Sequence, residues 1–100
     1  MEIKTNSKGS SAVITPIGKI DTVTAPELQT EIEKVIETAE ALEIDFSQIN
    51  YISSAGLRVL LSTQKKINAK NGTLKITNTD QMIDEIFEVT GFSDILTIVK

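Results

Sequence analysis

The chain contains no cysteine and no histidine among its 100 residues. Without cysteine, a disulfide framework and a thiolate metal site are impossible, and without histidine the usual zinc ligands and the base of a Ser-His-Asp triad are missing. No glycine-rich run with a following lysine occurs, which excludes a phosphate-binding loop. We therefore expect a protein that is not an enzyme and has no catalytic residue, metal or cofactor.

Long apolar runs and an excess of cations are absent too. No stretch approaches the roughly 18 apolar residues that a membrane span needs, and the N-terminus lacks the layout of a signal peptide. The formal net charge of −4 disfavours nucleic acid, whose binding depends on Lys and Arg gathered at phosphates. We expect a single soluble, cytoplasmic domain over residues 1–100 that binds neither nucleic acid nor membranes.

The charges that are present are unevenly distributed. Residues 25–45 hold seven acids and one lysine, whereas residues 55–75 hold five cations and no acid. One predicted helix is therefore acidic and the next is basic. Solvated helix faces account for this pattern, and the alternative is a bipolar surface oriented toward a charged partner.

Hydrophobic periodicity predicts strands that alternate with helices. We expect strands at 1–6, 11–20, 41–46, 73–77 and 95–99, a turn at 7–10, and helices at about 24–38, 55–70 and from Met82 to a stop at Gly91. Thr24 and Glu27 have the spacing of a capping box. Pro16 indicates an edge strand or a bulge, because proline cannot donate to the ladder. The alternation implies an α/β domain whose helices cover at least one face of a mixed sheet.

A pair of serines lies where residues 45–57 pass from a strand to the second helix. The first N–H groups of a helix lack partners and its dipole is positive there, so this position favours negative charge. Ser53 or Ser54 is either an ordinary N-cap or a phosphate acceptor. A catalytic nucleophile is disfavoured, since Ile52 occupies the first glycine position of a nucleophile elbow and nothing positions a lysine beside Ser54.

Other residues near the pair have alternative interpretations. Gly56 is expected to let another backbone or a nucleotide approach closely. Asp21 either shapes the loop before Thr24 or contacts a partner, and Asp45 is expected to hydrogen-bond its own loop. Tyr51 is expected to be a core or boundary aromatic, the alternative being a contact residue.

Two motifs carry a family resemblance. The first comprises Gly18-Lys19-Ile20-Asp21-Thr22-Val23-Thr24-Ala25, and the second comprises Asp45-Phe46-Ser47 with Tyr51-Ile52-Ser53-Ser54-Ala55-Gly56-Leu57. The first is similar to a family pattern, Gly-x-Leu-Asp-x-x-Thr-Ala, that precedes the first helix. The second is similar to the strand, the loop and the start of the phosphoacceptor helix in the same family. Together they resemble STAS domains of the bacterial anti-sigma factor antagonist type. The resemblance implies a single-layered mixed sheet with helices mainly on one face.

The resemblance also implies partner switching. The unphosphorylated protein would bind an anti-sigma factor that is also its serine kinase, which supplies ATP and Mg²⁺, and thereby free a sigma factor. Phosphorylation of Ser54 would end this binding and a serine phosphatase would restore it. The implied partner-binding residues are Asp21, Thr22, Ser53, Ser54, Gly56, Leu57 and Arg58. A monomer or weak dimer is expected.

Two departures from the family pattern qualify this transfer. Several members have aspartate immediately before the acceptor, where this chain has Ser53, so Ser53 is a competing acceptor. The family often adds a C-terminal helix after the last strand; we expect this helix to be short or missing here, which would expose part of the sheet to a partner or to another copy. One alternative is a sensory or scaffolding STAS module that binds a small molecule or another protein without serine phosphorylation. The other, by analogy of layering only, is a receiver-like protein phosphorylated on Asp45.

Overall fold

The computed structural model describes residues 1–99, which form one six-stranded sheet and three α-helices. In chain order the elements are β1 (Glu2–Lys8), β2 (Ser11–Ile20), α1 (Ala25–Ile36), β3 (Ala41–Asp45), β4 (Ile49–Ile52), α2 (Ser54–Ala69), β5 (Thr73–Thr77), α3 (Gln81–Val89), a 3₁₀ turn (Phe92–Asp94) and β6 (Ile98–Val99). The mixed α/β class is as predicted. No helix within residues 1–99 is both long enough and apolar enough to cross a membrane.

The sheet is organised around β2, which has neighbours on both sides. β1 runs antiparallel to β2 over its whole length, and on the other side β2 pairs in parallel first with β3 and then with β4. The remaining order is β3, β5 and β6, all parallel. β2 therefore extends past the end of its pairing with β3, and its last residues pair with β4 instead.

The prediction that Pro16 lies in an edge strand is therefore wrong. Pro16 is buried, lies opposite Ile3 of β1, and falls between the β3 pairing, which ends at Ile14, and the β4 pairing, which begins at Gly18. The register shifts between Gly18 and Lys19, so an irregularity is present two residues beyond the proline. A residue without an N–H is tolerated in this central strand because neither parallel ladder includes it.

One face of the sheet is buried and the other is more open. Across β2, β3 and β5, the register aligns Ala12 with Leu42 and Leu74, and the fully buried Ile14 with Ile44 and Ile76. The residues between them point to the other face, where Lys75 is exposed and Glu43 is half-buried. The helices thus cover one face of the sheet, as the family resemblance implied.

β4 was not predicted and lies in the segment that was expected to be a loop. Its four residues have the burial pattern of two buried isoleucines around two exposed residues, which is not the alternation that identifies a strand. The strand exists because Ile49, Tyr51 and Ile52 pair with the end of β2. β1 also runs two residues past its predicted end, because Gly9 has a φ of 63° and closes a tighter hairpin than expected.

The ends of the helices match the predictions in part. α2 ends in a Schellman motif: Asn71 has a φ of 61°, and Gly72 N donates to Ile67 O at 2.8 Å. Gly91, with a φ of 80°, follows α3, and Phe92 packs against the core as predicted. The predicted strand at 95–99 is shortened to Ile98–Val99, because the N–H groups of Ile95 and Leu96 donate back to Phe92 O in the turn that precedes the strand.

Part of the charge asymmetry is used between the two helices themselves. Lys66 Nζ of α2 lies 3.9 Å from Glu33 Oε1 of α1. Lys70 Nζ donates to the carbonyl oxygens of Ile36 at 2.6 Å and Glu37 at 2.8 Å, so it caps the C-terminus of α1. The acidic and basic helices are therefore neighbours whose charges in part satisfy each other.

Candidate functional site

The candidate site lies where β2 and β4 end side by side. Parallel neighbours finish at the same edge of a sheet, and Ile20 pairs with Ile52 at this edge. Ser53 N donates to Ile20 O at 2.8 Å and fixes the start of α2 beside the loop that leads into α1. The N-termini of α1 and α2 therefore meet here. The two sequence motifs, about thirty residues apart, form one surface.

The loop before α1 is held by a reciprocal pair of residues, Asp21 and Thr24. Asp21 Oδ1 accepts from Thr24 N at 3.0 Å and from Val23 N at 2.9 Å, while Thr24 Oγ1 accepts from Asp21 N at 2.8 Å. Thr24 Oγ1 also donates to Lys19 O at 2.6 Å. Each side chain thus satisfies the backbone N–H of the other residue, which is the arrangement of a capping box.

The capping box was predicted between Thr24 and Glu27, and this prediction is wrong because the observed box lies three residues earlier in the chain. Thr24 makes no side-chain cap bond to the first turn of α1, and Glu27 Oε1 instead accepts from the amine of Met1 at 3.0 Å. Thr24 has α-helical dihedral angles. It already lies inside a helical turn, so its side chain points back to Asp21 and not forward to Glu27.

The hydrogen bonds of this loop determine the ionisation of Asp21. The backbone N–H of Thr24 makes the largest contribution and lowers the pKa of the carboxyl below its ordinary value of 3.8, and the N–H of Val23 adds to this. Partial desolvation raises the pKa but does not outweigh these bonds. Asp21 is therefore a carboxylate near neutral pH, and its bonds support the loop-shaping interpretation.

The two serines occupy different positions in α2. Ser53 is the N-cap: its dihedral angles are extended, and its Oγ accepts from Gly56 N at 3.4 Å. Ser54 is the first residue of the helix and is exposed, whereas Ser53 is half-buried. The N-cap interpretation thus applies to Ser53, and the Ser54 hydroxyl lies at the surface.

Gly56 and Leu57 point into the protein. A Cβ built on Gly56 would lie 2.6 Å from Ile20 Cγ2 and 2.7 Å from Ile52 Cγ1, so the space beside its Cα is filled by the chain's own core. Leu57 is 7% exposed. The close approach expected at Gly56 is that of β2 and β4 to α2, and not of an external backbone or nucleotide. Arg58, the next residue, is exposed.

Of the residues expected to contact a partner, the structure brings five to this edge with some exposure: Asp21, Thr22, Ser53, Ser54 and Arg58. Thr22 and Arg58 line a shared groove between α1 and α2. Sequence reasoning missed the other residues of that groove, notably Pro26 and Val59. Their helical spacing was visible, but which helix faces adjoin was not.

Asp45 hydrogen-bonds its own loop, as predicted. Its Oδ1 accepts from Ser47 N at 2.9 Å and from Asn78 Nδ2 at 2.9 Å. Burial raises the pKa of Asp45, but the bonds from Asn78 and Ser47 outweigh it and leave the pKa below 3.8. No group of three or more metal-binding side chains occurs within residues 1–99, and such a cluster is what a receiver-like site needs.

Tyr51 lies beside this edge and is 42% exposed. It pairs with Lys19 across β4 and β2, on the strand positions that alternate with the buried Ile20 and Ile52. Tyr51 is therefore an exposed residue, and the prediction of a core or boundary aromatic is wrong.

Comparison with known proteins shows which characterised proteins the chain is similar to. The chain is 32% identical over 81 residues to the anti-sigma-B factor antagonist of Bacillus subtilis, an alignment that covers 81% of this chain and 74% of that protein. A crystal structure of an anti-sigma factor antagonist from Mycobacterium paratuberculosis superposes with a TM-score of 0.86 at 26% identity, covering 97% of this chain and 83% of that one.

The fold is also that of the anti-sigma factor antagonist SpoIIAA. Its unphosphorylated form superposes with a TM-score of 0.79 at 15% identity, covering 99% of this chain and 88% of that one. The Bacillus cell fate determinant SpoIIAA in the phosphorylated form superposes with a TM-score of 0.77 at the same 15% identity, covering 99% and 92%. The sequence model of the STAS domain family matches residues 2–100 of this chain. The chain belongs to the STAS domain family.

Proposed function

We propose that this chain is an anti-sigma factor antagonist in a partner-switching pathway. In its unphosphorylated form it binds an anti-sigma factor that is also a serine kinase, and this binding releases a sigma factor. The kinase supplies ATP and Mg²⁺ and transfers a phosphoryl group to the Oγ of Ser54. The modified protein leaves the kinase, and a serine phosphatase restores it. The protein itself acts in the cytoplasm as a substrate and a binding partner.

The proposal is supported by relatives and by the position of one hydroxyl. The Bacillus subtilis relative is named for antagonism of an anti-sigma factor, and SpoIIAA occurs in a phosphorylated form. The observation that carries the choice of residue is the difference between the serines. Ser54 is exposed at the first position of α2, whereas the oxygen of Ser53 caps the same helix. A kinase reaches the first hydroxyl without disturbing the cap.

Phosphorylation at Ser54 is expected to change binding and leave the fold intact. A phosphoserine carries about −1.5 to −2 charges and three acceptor oxygens at neutral pH. The unpaired N–H groups and the positive dipole end of α2 tolerate this charge where it is added. A partner that had buried a neutral hydroxyl would instead have to desolvate a dianion, which costs several kcal/mol of binding.

The test is intact-mass analysis after incubation with the cognate kinase and Mg-ATP. Wild type should gain one phosphate and Ser54→Ala none. Ser53→Ala is the matched control because it removes the neighbouring hydroxyl and should still gain one. Full modification of Ser54→Ala would show that the acceptor is misassigned.

Binding is then measured for the separated forms. Unphosphorylated protein should bind the kinase, and phosphorylated protein should not. If both forms bind equally, the switch is refuted. Binding that is also insensitive to Ser54→Ala and Ser54→Asp would identify a sensory or scaffolding STAS module that does not use serine phosphorylation.

A further inference from the structure

A groove runs between the N-terminal halves of α1 and α2, next to Ser54. We call it the α1–α2 groove; it is lined by Thr22, Ala25, Pro26, Gln29, Ala55, Arg58, Val59 and Ser62. Its volume is about 320 Å³, at the lower limit of ligand pockets and suited to one or two side chains. Volume alone does not select it, because a groove of about 330 Å³ lies at Met1 and Glu27. The α1–α2 groove is distinguished by its position next to Ser54 and by its charge.

The charge of the α1–α2 groove comes from one residue. Arg58 alone among the eight lining residues is charged, and Ala25, Pro26, Ala55 and Val59 form an apolar base. Within residues 1–99, Arg58 takes part in none of the ion pairs closer than 4.0 Å, whereas Lys34 and Lys66 each pair with a glutamate. The groove therefore presents an uncompensated guanidinium beside apolar surface, complementary to a carboxylate next to an apolar side chain.

Arg58 is also placed to respond to a phosphate. It follows Ser54 by four residues in α2, and side chains at i and i+4 lie on the same helix face about 5 to 6 Å apart at Cβ. Helical side chains lean toward the N-terminus of the helix, so the long Arg58 side chain leans toward Ser54. A guanidinium matches the oxygens of a phosphate with paired hydrogen bonds.

We propose that the α1–α2 groove binds an acidic and apolar segment of the anti-sigma factor through Arg58, and that phosphoserine at position 54 captures this arginine and withdraws it from the partner. The inference rests on the proposed function and supplies its mechanism. In the unphosphorylated protein Arg58 pairs with the partner's carboxylate. After phosphorylation the same guanidinium pairs with the phosphate one turn away, so the partner's carboxylate loses its cation and faces a new anion.

The binding test uses each purified anti-sigma factor encoded in the genome that carries this chain. Arg58→Gln should weaken binding of the unphosphorylated protein roughly tenfold at low ionic strength and less at high ionic strength, and Arg58→Lys should recover part of the loss. Lys65→Gln is the matched control, since it removes a cation from an exposed position of α2 outside the groove. Ser62→Leu, which fills the groove, should also weaken binding, whereas Ala69→Leu at the end of α2 should not.

The capture test needs no partner. Protein carrying phosphoserine 54, made by genetic incorporation of phosphoserine, is titrated by ³¹P NMR. The phosphate pKa should be higher in Arg58→Gln than in wild type by about half a pH unit, and unchanged in Lys65→Gln.

The outcomes separate the two proposals. Wild type that binds none of the anti-sigma factors refutes the proposed function. Wild type that binds, with Arg58→Gln and Ser62→Leu as tight as their controls, refutes the groove and leaves the proposed function standing. A phosphate pKa that is the same in wild type and Arg58→Gln refutes the capture of Arg58.

Discussion

Gly56→Ala tests whether the start of α2 is fitted to the core or kept clear for a partner. The added Cβ would lie 2.6 Å from Ile20 Cγ2 and 2.7 Å from Ile52 Cγ1, about 1 Å inside ordinary van der Waals contact. Those two side chains are 0% and 2% exposed, so neither can swing aside into solvent. Overpacking of this kind costs about 1 to 3 kcal/mol.

The helix propensity of alanine offsets part of that cost. Replacing glycine by alanine inside a helix returns up to about 1 kcal/mol. With that gain taken in full, the net destabilisation reaches about 2 kcal/mol, which lowers the Tm of a chain of this length by up to roughly 15 °C. Urea denaturation and thermal melting followed by circular dichroism measure both quantities. The slope of the urea transition should stay constant, because the surface exposed on unfolding does not change.

Ser54→Ala is the matched control, since it alters an exposed residue in the same turn and should change stability by less than about 0.5 kcal/mol. If Gly56→Ala is as stable as this control but loses partner binding, then the glycine serves an external contact and the packing explanation fails. If it is destabilised and binds normally below its Tm, the packing explanation stands.

Three further changes test individual contacts. Ser53→Ala should lower the unfolding free energy by about 0.5 to 1 kcal/mol, a small effect for a cap because its hydrogen bond is 3.4 Å long, while Ser54→Ala should not lower it. Urea denaturation of the two variants measures the difference, and equal unfolding curves would contradict the assignment of the cap to Ser53. Lys70→Met should cost about 1 kcal/mol in the same assay, because two carbonyl oxygens at the C-terminus of α1 lose their donor; an unchanged midpoint would show that water replaces the amine. The pKa of Asp21 is lowered by its bond from Thr24 N, so the stabilisation that this carboxylate gives the loop is present above the unfolded-state pKa and is lost as pH falls through the folded one. The protection factor of the Thr24 amide, which is its exchange rate relative to the intrinsic rate at the same pH, should fall below about pH 4 in wild type and show no such step in Asp21→Asn.

The local sequence was sufficient for elements whose pattern matches their period. α1, α2 and the strands β2, β3 and β5 lie where periodicity predicts them, since each has a continuous apolar face. The stop at Asn71 was equally local, because asparagine tolerates the αL geometry found there. The special character of the serine pair was recognisable for the same reason: polar caps and helix starts act within one turn.

Other features depended on contacts between distant segments. β4 has no strand pattern of its own and is ordered by the end of β2, and Pro16 is accommodated only because β2 changes partners around it. The capping box was predicted one turn too late. Asp21 and Thr24 have the same spacing in the sequence as Thr24 and Glu27, and only the position at which the helical turn begins shows that the first pair forms the box. No local signal distinguishes Gly56 as a packing glycine from one that admits a partner.

By itself the sequence determined that this protein lacks the side chains of the usual zinc and triad chemistries, that it alternates strands with helices, and that two serines stand at a helix start. These properties depend on composition and on interactions within a few residues. The tertiary structure decided which serine caps and which is exposed, joined the Asp21 loop to the start of α2, and placed Arg58 on a groove with no acidic residue in its lining. These outcomes depend on the parallel pairing of β2 with β4, which sets two distant helix N-termini side by side.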